Sequence, residues 1–349
     1  MAEKSTAHMK PTTSDDVFDL MNSYMTSVAV NAALELGLFW MLVKQRLDAS
    51  SVAKQLNIAP TRCLYWLQLL TRLGLLKSTP EGYAPSPVAQ KAIIDAYTKD
   101  TWSFLAKEER MQYRLITDFP DRLRDLRSAL KMRGLSPPDY SRQIVEDSAN
   151  ARRFTRMLYE LHLPLSNMLA ESLDMSGVRR LLDIGGGSGV MSMALLRKHP
   201  QLTAVVLDFP DVCISGREIA IENSLQDRIL YKEADFCTDE LPEGFDMVLE
   251  CDVNIYTVEL FKKVKTILNP GGRLVVVDQL APSENAAPET RLTWAFQSSM
   301  ENPEPMFLSL GEIGTRLKEA GYRIHSERCL PQSGVWRWTA GWNVIEAGN

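Results

Sequence analysis

Leu181-Leu182-Asp183-Ile184-Gly185-Gly186-Gly187-Ser188-Gly189 puts an acidic residue at the end of an apolar run and directly before a glycine-rich turn. Val178 to Ile184 reads as a strand, and Val190 to Leu196 continues as an apolar, methionine-bearing helix. A dinucleotide site would read Gly-x-Gly-x-x-Gly and seat a pyrophosphate on the N-terminus of that helix, where the adjacent Asp183 would repel it. Here Gly185, Gly187 and Gly189 follow a Gly-x-Gly-x-Gly spacing. An acid before such a turn suits an adenosyl ligand with an ammonium group and a sulfonium, and S-adenosylmethionine carries both. Three glycines also permit a tight turn with no ligand, so the neighbouring strands decide.

The next strand, Thr203 to Leu207, ends in Asp208, 25 residues beyond Asp183. An acid there is placed to accept hydrogen bonds from ribose hydroxyls, and Phe209 follows it. A third strand, Ile229 to Glu233, closes with Ala234-Asp235-Phe236, an acid and an aromatic for hydrogen-bonding and stacking an adenine. Each acid alone fits a solvated loop or a helix cap; three at successive strand ends fit a ligand better. Strands at 245–250 and 273–278 continue the alternation with helices, which predicts a doubly wound, mostly parallel sheet with right-handed crossovers. Asn269-Pro270-Gly271-Gly272 is the turn into the last of these. A helix near Leu310 to Ala320 follows, and then Tyr322 to Arg328 and Trp336 to Asn343 read as antiparallel strands at the sheet edge.

A chain of 349 residues with 45% hydrophobic content is expected to hold two domains. Its net charge of −5 argues against a nucleic-acid partner, which calls for a basic surface. Residues 1–14 are polar and read as a disordered tail, neither signal peptide nor anchor. Ser27 to Val43 is apolar but is interrupted by Asn31 and Glu35 and reads as a buried helix, too short and mixed to enter a membrane. Cys63, Cys213, Cys237, Cys251 and Cys329 are scattered without a Cys-x-x-Cys pair, so neither disulfides nor a metal site is expected, and the expected setting is cytoplasmic.

Residues 15–135 read as mostly helical. Leu47 to Leu56 opens a helix after a serine cap, Thr61 to Leu73 forms a second, and Leu75 to Ser78 and Gly82 to Ala84 flank Pro80-Glu81-Gly82 as a small hairpin. Helix, turn, helix and hairpin make a winged helix. A DNA-reading helix needs a basic polar face, whereas Thr61 to Leu73 is apolar at nearly every turn, which favours burial or dimerisation. Residues 136–175, opening with Pro137-Pro138, carry a helix around Ala151 to Met168 that leads into the α/β region, 176–349.

Together these residues resemble the class I S-adenosylmethionine methyltransferases of the plant-type small-molecule O-methyltransferase family, which also has bacterial members. The resemblance runs through Leu36-Gly37-Leu38-Phe39, the helix bearing Phe154, Asp183 to Gly189, Leu207-Asp208-Phe209-Pro210, Asp235-Phe236, Pro270-Gly271-Gly272-Arg273-Leu274 and Ala320-Gly321-Tyr322. It implies a Rossmann-like sheet behind an N-terminal winged-helix dimerisation domain, and a homodimer whose first domain contributes to the partner's pocket. It also implies S-adenosylmethionine as cofactor, S-adenosylhomocysteine as product and no metal. Asp183, Gly185, Gly187, Asp208, Phe209, Asp235, Phe236 and Cys251 are the cofactor-binding positions.

The departure from the family is equally informative. Many members carry His-Asp-Trp after the fourth strand, the histidine taking the acceptor's proton. Here Cys251-Asp252-Val253-Asn254-Ile255-Tyr256-Thr257 stands there, without histidine. Of the four histidines, His8 lies in the tail, His199 at a helix end and His325 in a late strand; only His162, on the helix lining the family's acceptor pocket, is placed to substitute. A phenol must lose a proton as it attacks, a step that a positioned base speeds by roughly two to four powers of ten. A thioether sulfur has none to lose. The expectation is therefore S-methylation of a small thioether acid, such as the 4-methylthio-2-hydroxybutyrate used in dimethylsulfoniopropionate synthesis. Tyr140, His162 and Tyr256 are the catalytic candidates, and Arg142, Tyr159, Trp294 and Gln297 the acceptor-binding ones. The alternatives are O- or N-methylation using His162 or Tyr256, a repurposed chemistry, and a winged-helix regulator that senses a nucleoside.

Overall fold

The computed structural model describes residues 11–116, 119–124, 147–300, 304–330 and 341–348. Tyr140 and Arg142 lie outside the described residues. The chain divides into two compact units, 1–117 and 118–349.

In the first unit, helix α1 (Ser14–Glu35) opens on a capping box in which Thr13 and Asp16 satisfy each other's backbone N–H groups. The apolar stretch Ser27 to Val43 is not one helix. Gly37, at φ 70°, turns the chain into the left-handed region that side chains avoid, and α2 (Leu38–Lys44) starts afresh beyond it. Helix α3 (Ala49–Leu56) is capped by Asp48, whose carboxylate accepts the Ser51 N–H at 2.7 Å, rather than by a serine. Helix α4 (Pro60–Arg72) and the antiparallel hairpin β1 (Leu76–Thr79) and β2 (Gly82–Pro85) complete the winged helix, with Tyr83 bridged to Leu47. A further helix, α5 (Lys99–Ile116), packs on α1. Leu38, Phe39, Leu42, Val52, Leu67 and Leu70 fill the core. Phe18, Met21, Tyr24 and Met25 on α1 and Tyr65 on α4 are left exposed. Between the two helices Met25, Ala29, Arg62, Tyr65 and Trp66 line an apolar cleft of about 440 Å³.

The second unit begins with α6 (Phe119–Arg124) and α7 (Ser148–Ser172), a long helix containing Pro164 and capped by Asp147. The strands and helices then alternate as the hydrophobic pattern predicts: β3 (Arg180–Ile184), α8 (Val190–Lys198), β4 (Thr203–Asp208), α9 (Pro210–Glu222), β5 (Ile229–Glu233), β6 (Phe245–Cys251), α10 (Val258–Ile267) and β7 (Leu268–Asp278). Asn269 to Gly272 is absorbed at the start of β7, where the pairing with β6 shifts register between Phe245 and Met247. After α11 (Leu292–Ser299) and α12 (Leu310–Glu319) come β8 (Arg323–Cys329) and β9 (Asn343–Gly348). The final strand thus starts where the sequence pattern ended it, at Asn343; 331–340 lie outside the described residues.

The sheet order is β5-β4-β3-β6-β7-β9-β8. Strands β3 to β7 pair in parallel, and β9 inserts antiparallel between β7 and β8, so β8 alone forms that edge. Leu181, Val206, Met247 and Val275 face α7, α8 and α9, while Leu182, Val248, Leu274 and Ile345 face α10 and α12. Burial on both faces is what a parallel sheet requires. From β3 the chain winds one way to β4 and β5, and from β6 the other way to β7. The C-terminal ends of β3 and β6 therefore flank the switch point, where open α/β sheets form a ligand crevice. Among the described residues no single helix is long and apolar enough to cross a membrane.

Candidate active site

The crevice is built from two loops. The first is the glycine turn after β3, in which Gly185, Gly187 and Gly189 all take positive φ, at 61°, 58° and 76°. It is clamped from below. Gly185 N–H donates to the Leu207 carbonyl at 2.9 Å, Gly187 N–H to Asp208 Oδ2 at 2.8 Å, and the Tyr231 hydroxyl to the Ser188 carbonyl at 2.6 Å. The second loop follows β6. Val253 Cγ2 lies 3.2 Å and Phe236 Cε1 3.5 Å from where a Cβ on Gly185 would stand, so the two loops meet at Gly185.

Asp183 does not project into the crevice. It is 1% exposed, its Oδ2 accepts the Ser192 hydroxyl at 2.6 Å, and Gly186 packs so closely that a Cβ there would sit 2.6 Å from its Cγ. Its Oδ1 is buried without a hydrogen-bond partner. Burial, with some help from the negative charge of Asp208, pushes its carboxyl up to about 7. Asp208 is raised to about 6 by burial, against the N–H groups of Phe209 and Gly187 that favour its charged form. Each Asp208 oxygen already holds a backbone N–H and retains one acceptor position. Phe209 caps α9. Asp235 Oδ1 accepts the Cys237 N–H at 3.0 Å, with Phe236 beside it half-buried against the glycine turn. These features fit an adenosyl ligand. The turn is too tight for side chains, an acid borders it at the second strand, an aromatic lies at the third, and an orphaned carboxylate oxygen sits beneath.

Cys251 joins this half of the crevice to the other. Burial drives its thiol well above its ordinary value, and the anions of Asp252, Asp183 and Asp278 add to the effect. Asp252, next along, holds φ 57°, a left-handed backbone that aspartate adopts more readily than most side chains. Its Oδ1 is 3.1 Å from Arg291 Nη2 and its Oδ2 3.5 Å from His162 Nε2. Burial opposes ionisation of Asp252, yet the hydrogen bond to His162 and the charge of Arg291 outweigh it and hold the carboxyl below its usual range. Arg291 is only 8% exposed as a residue, and its guanidinium lies 5.5 Å from the ring centres of both Trp294 and Trp342, with Nε donating to Gln279. His162 meets Trp342 edge-on at 6.2 Å.

The acceptor-site expectations separate on this geometry. His162 and Trp294 belong to the cluster, and Gln297, half-buried three residues after Trp294, shares that face of α11. Tyr159 does not: its hydroxyl is spent on Asn223 at 3.0 Å, in the packing of α7 against α9. Tyr256 does not either. It is 3% exposed in the core, its phenol is bonded to Asp278, and burial beside that anion raises its pKa well above the ordinary value, so it offers no base. His199 and His325 lie at the end of α8 and in β8. Sequence reasoning passed over Arg291, Gln279, Trp342 and the role of Asp252. Strand order brings these together from distant parts of the chain, and no local spacing marks them; only Asp252 carries a signal in the sequence, since it stands in the loop without the histidine.

The O-methyltransferase domain matches residues 119–323, and the O-methyltransferase dimerisation domain matches residues 18–93. The chain belongs to the O-methyltransferase family. The methyltransferase is 31% identical over 232 residues, 66% of each chain, to the 3-hydroxy-5-methyl-1-naphthoate 3-O-methyltransferase of Streptomyces sahachiroi. It is 25% identical over 325 residues to the N,N-dimethyltransferase OxyT of Streptomyces rimosus, covering 92% of this chain and 94% of that one. Human N-acetylserotonin methyltransferase, solved in complex with SAM, shares the fold with TM-score 0.78 at 20% identity, covering 98% of this chain and 99% of that one.

Proposed function

We propose that this methyltransferase transfers the methyl group of S-adenosylmethionine to a small molecule at an atom that has no proton to give up. The thioether sulfur of an acid such as 4-methylthio-2-hydroxybutyrate is the simplest such acceptor. One observation carries the reading: among the described residues, the candidate bases His162 and Tyr256 are both already engaged with other groups. His162 faces the Leu158 carbonyl with Nδ1 at 3.0 Å and Asp252 with Nε2 at 3.5 Å, so both ring nitrogens are turned to acceptors. Tyr256 is sealed in the core. Bound S-adenosylmethionine supplies an electrophilic methyl on a sulfonium centre. The chain's own contribution is then to hold the partners in line and dry, with the glycine turn, Asp208 and Phe236 on one side and the His162–Asp252–Arg291 cluster on the other. Met21, Tyr24 and Tyr65, exposed on the dimerisation domain, support a homodimer.

A second reading, O- or N-methylation of an aromatic metabolite, is favoured by the names of the relatives and by the length of the His162–Asp252 contact, which an acceptor hydroxyl could displace. Labelled S-adenosylmethionine offered with thioether acids and phenols in parallel separates the two. The sulfur reading expects transfer to the thioether, with His162→Gln slower by less than about tenfold. Transfer only to phenols, with His162→Gln slower by a factor of about 100 or more, overturns it.

A further inference from the structure

We propose that Arg291 is the anchor for a carboxylate on the methyl acceptor. The inference rests on the reading above that the crevice holds a small-molecule acceptor, and it assigns that acceptor a charge. The guanidinium is fixed on three sides. Nε is bonded to Gln279, Nη2 lies on Asp252, and the indole rings of Trp294 and Trp342 are each 5.5 Å from its centre. Yet Nη1 donates to no group among the described residues, although the residue as a whole is 8% exposed. A buried arginine normally spends all its donors. One unspent edge on an immobilised fork is a preformed site for a planar anion, because little side-chain entropy remains to be lost when a carboxylate docks.

Position selects the ligand. Asp252 is one residue from Cys251 and from Val253, which touches the glycine turn, so the open edge of Arg291 belongs to the crevice in which the methyl group would be presented. Asp252 balances the guanidinium charge. That keeps the cluster stable when empty and sets a like charge against any incoming anion, so the site admits a carboxylate with moderate affinity and releases it after turnover. The indole rings leave an apolar wall beside the anion, fit for the short hydrocarbon or aromatic body of a small organic acid.

The test is calorimetric binding to the full-length protein saturated with S-adenosylhomocysteine, using two matched acid and amide pairs. One pair is 4-methylthiobutanoate and 4-methylthiobutanamide; the other is 3-hydroxybenzoate and 3-hydroxybenzamide. In at least one pair the acid is expected to bind about 10- to 100-fold more tightly than the amide, the span of a charge-assisted hydrogen bond. Arg291→Lys, which keeps the charge but not the fork, is expected to close most of that gap. Asp252→Asn, which removes the competing anion, is expected to tighten the acid several-fold while leaving the amide unchanged. A purely structural arginine would not produce that gain. Equal or undetectable binding of acid and amide in both pairs overturns the anchor, as does a gap that survives in Arg291→Lys or an Asp252→Asn variant that binds the acid no better. A gap confined to the hydroxybenzoate pair keeps the anchor and removes the sulfur reading. Methyl transfer to the thioether amide as fast as to the acid keeps the sulfur reading and removes the anchor.

Discussion

Gly189→Ala should damage the cofactor turn through one identifiable contact. Gly189 holds φ 76°, and a Cβ on it would stand 2.6 Å from the Tyr231 hydroxyl oxygen and 2.9 Å from Ile229 Cδ1. The left-handed backbone costs alanine about 1 to 2 kcal/mol, and relieving the overlap costs about 1 to 3 kcal/mol. The expected loss is therefore about 2 to 5 kcal/mol, read by urea unfolding. Tyr231→Phe alone removes the hydrogen bond to the Ser188 carbonyl and leaves that oxygen unpaired, for about 1 to 3 kcal/mol. In the double variant the nearest obstruction is gone, so its loss should fall short of the sum of the single losses by about 1 kcal/mol or more. S-Adenosylmethionine affinity, measured by calorimetry, should follow the same order, because Ser188 lies inside the turn. Strict additivity of the two substitutions would refute the idea that Tyr231 and the glycine turn are locked together.

Asp208→Ala should weaken S-adenosylmethionine binding by about 1 to 3 kcal/mol, through both the loosened Gly187 N–H and the lost ligand acceptor; unchanged affinity would remove Asp208 from the site. Glu250, wholly buried with neither oxygen hydrogen-bonded, has its carboxyl raised by burial from 4.5 to about 8. The folded state thus binds its proton more tightly than the unfolded chain, and the resulting stability is complete below about pH 4.5 and is lost as pH rises through about 8. Glu250→Gln should be more stable than wild type at pH 9 by an amount on the order of a few kcal/mol, the difference vanishing near pH 5; superimposable unfolding profiles across that range would contradict it. Met21→Glu with Tyr65→Glu should yield monomers in sedimentation velocity, because each places a charge on the exposed apolar face of the dimerisation domain, and an unchanged sedimentation coefficient would place the interface elsewhere.

The glycine-turn side of the crevice was readable because its determinants are local. Gly185 to Gly189, Asp208 and Phe236 each stand at the end of a strand whose hydrophobic run gives its position, and β5 falls at Ile229–Glu233, where the pattern put it. Where local reading failed, a competing physical effect explains it. Gly37 broke an apolar helix that periodicity alone would have continued, and Asp48 offered a better-placed cap oxygen than the serines after it. Asp183 precedes the turn in the chain, but its setting there came only from the structure: the alternation of strand faces places it beneath the turn, with Oδ2 on the Ser192 hydroxyl and Oδ1 unpaired.

The sequence by itself determined the alternating α/β order, the winged helix before it and the glycine turn with its acids, since each follows from residues adjacent in the chain. It also showed that the usual histidine is missing. Only the tertiary structure decided what stands in that place. The order of β3, β6, β7 and β9 across the sheet converges His162, Asp252, Arg291 and Trp342 on the crevice, while Tyr256 is buried in the core and Tyr159 is turned onto Asn223. Nothing in the spacing of those residues encodes their meeting, because contacts between distant segments are set by which strands pair and which face each side chain takes.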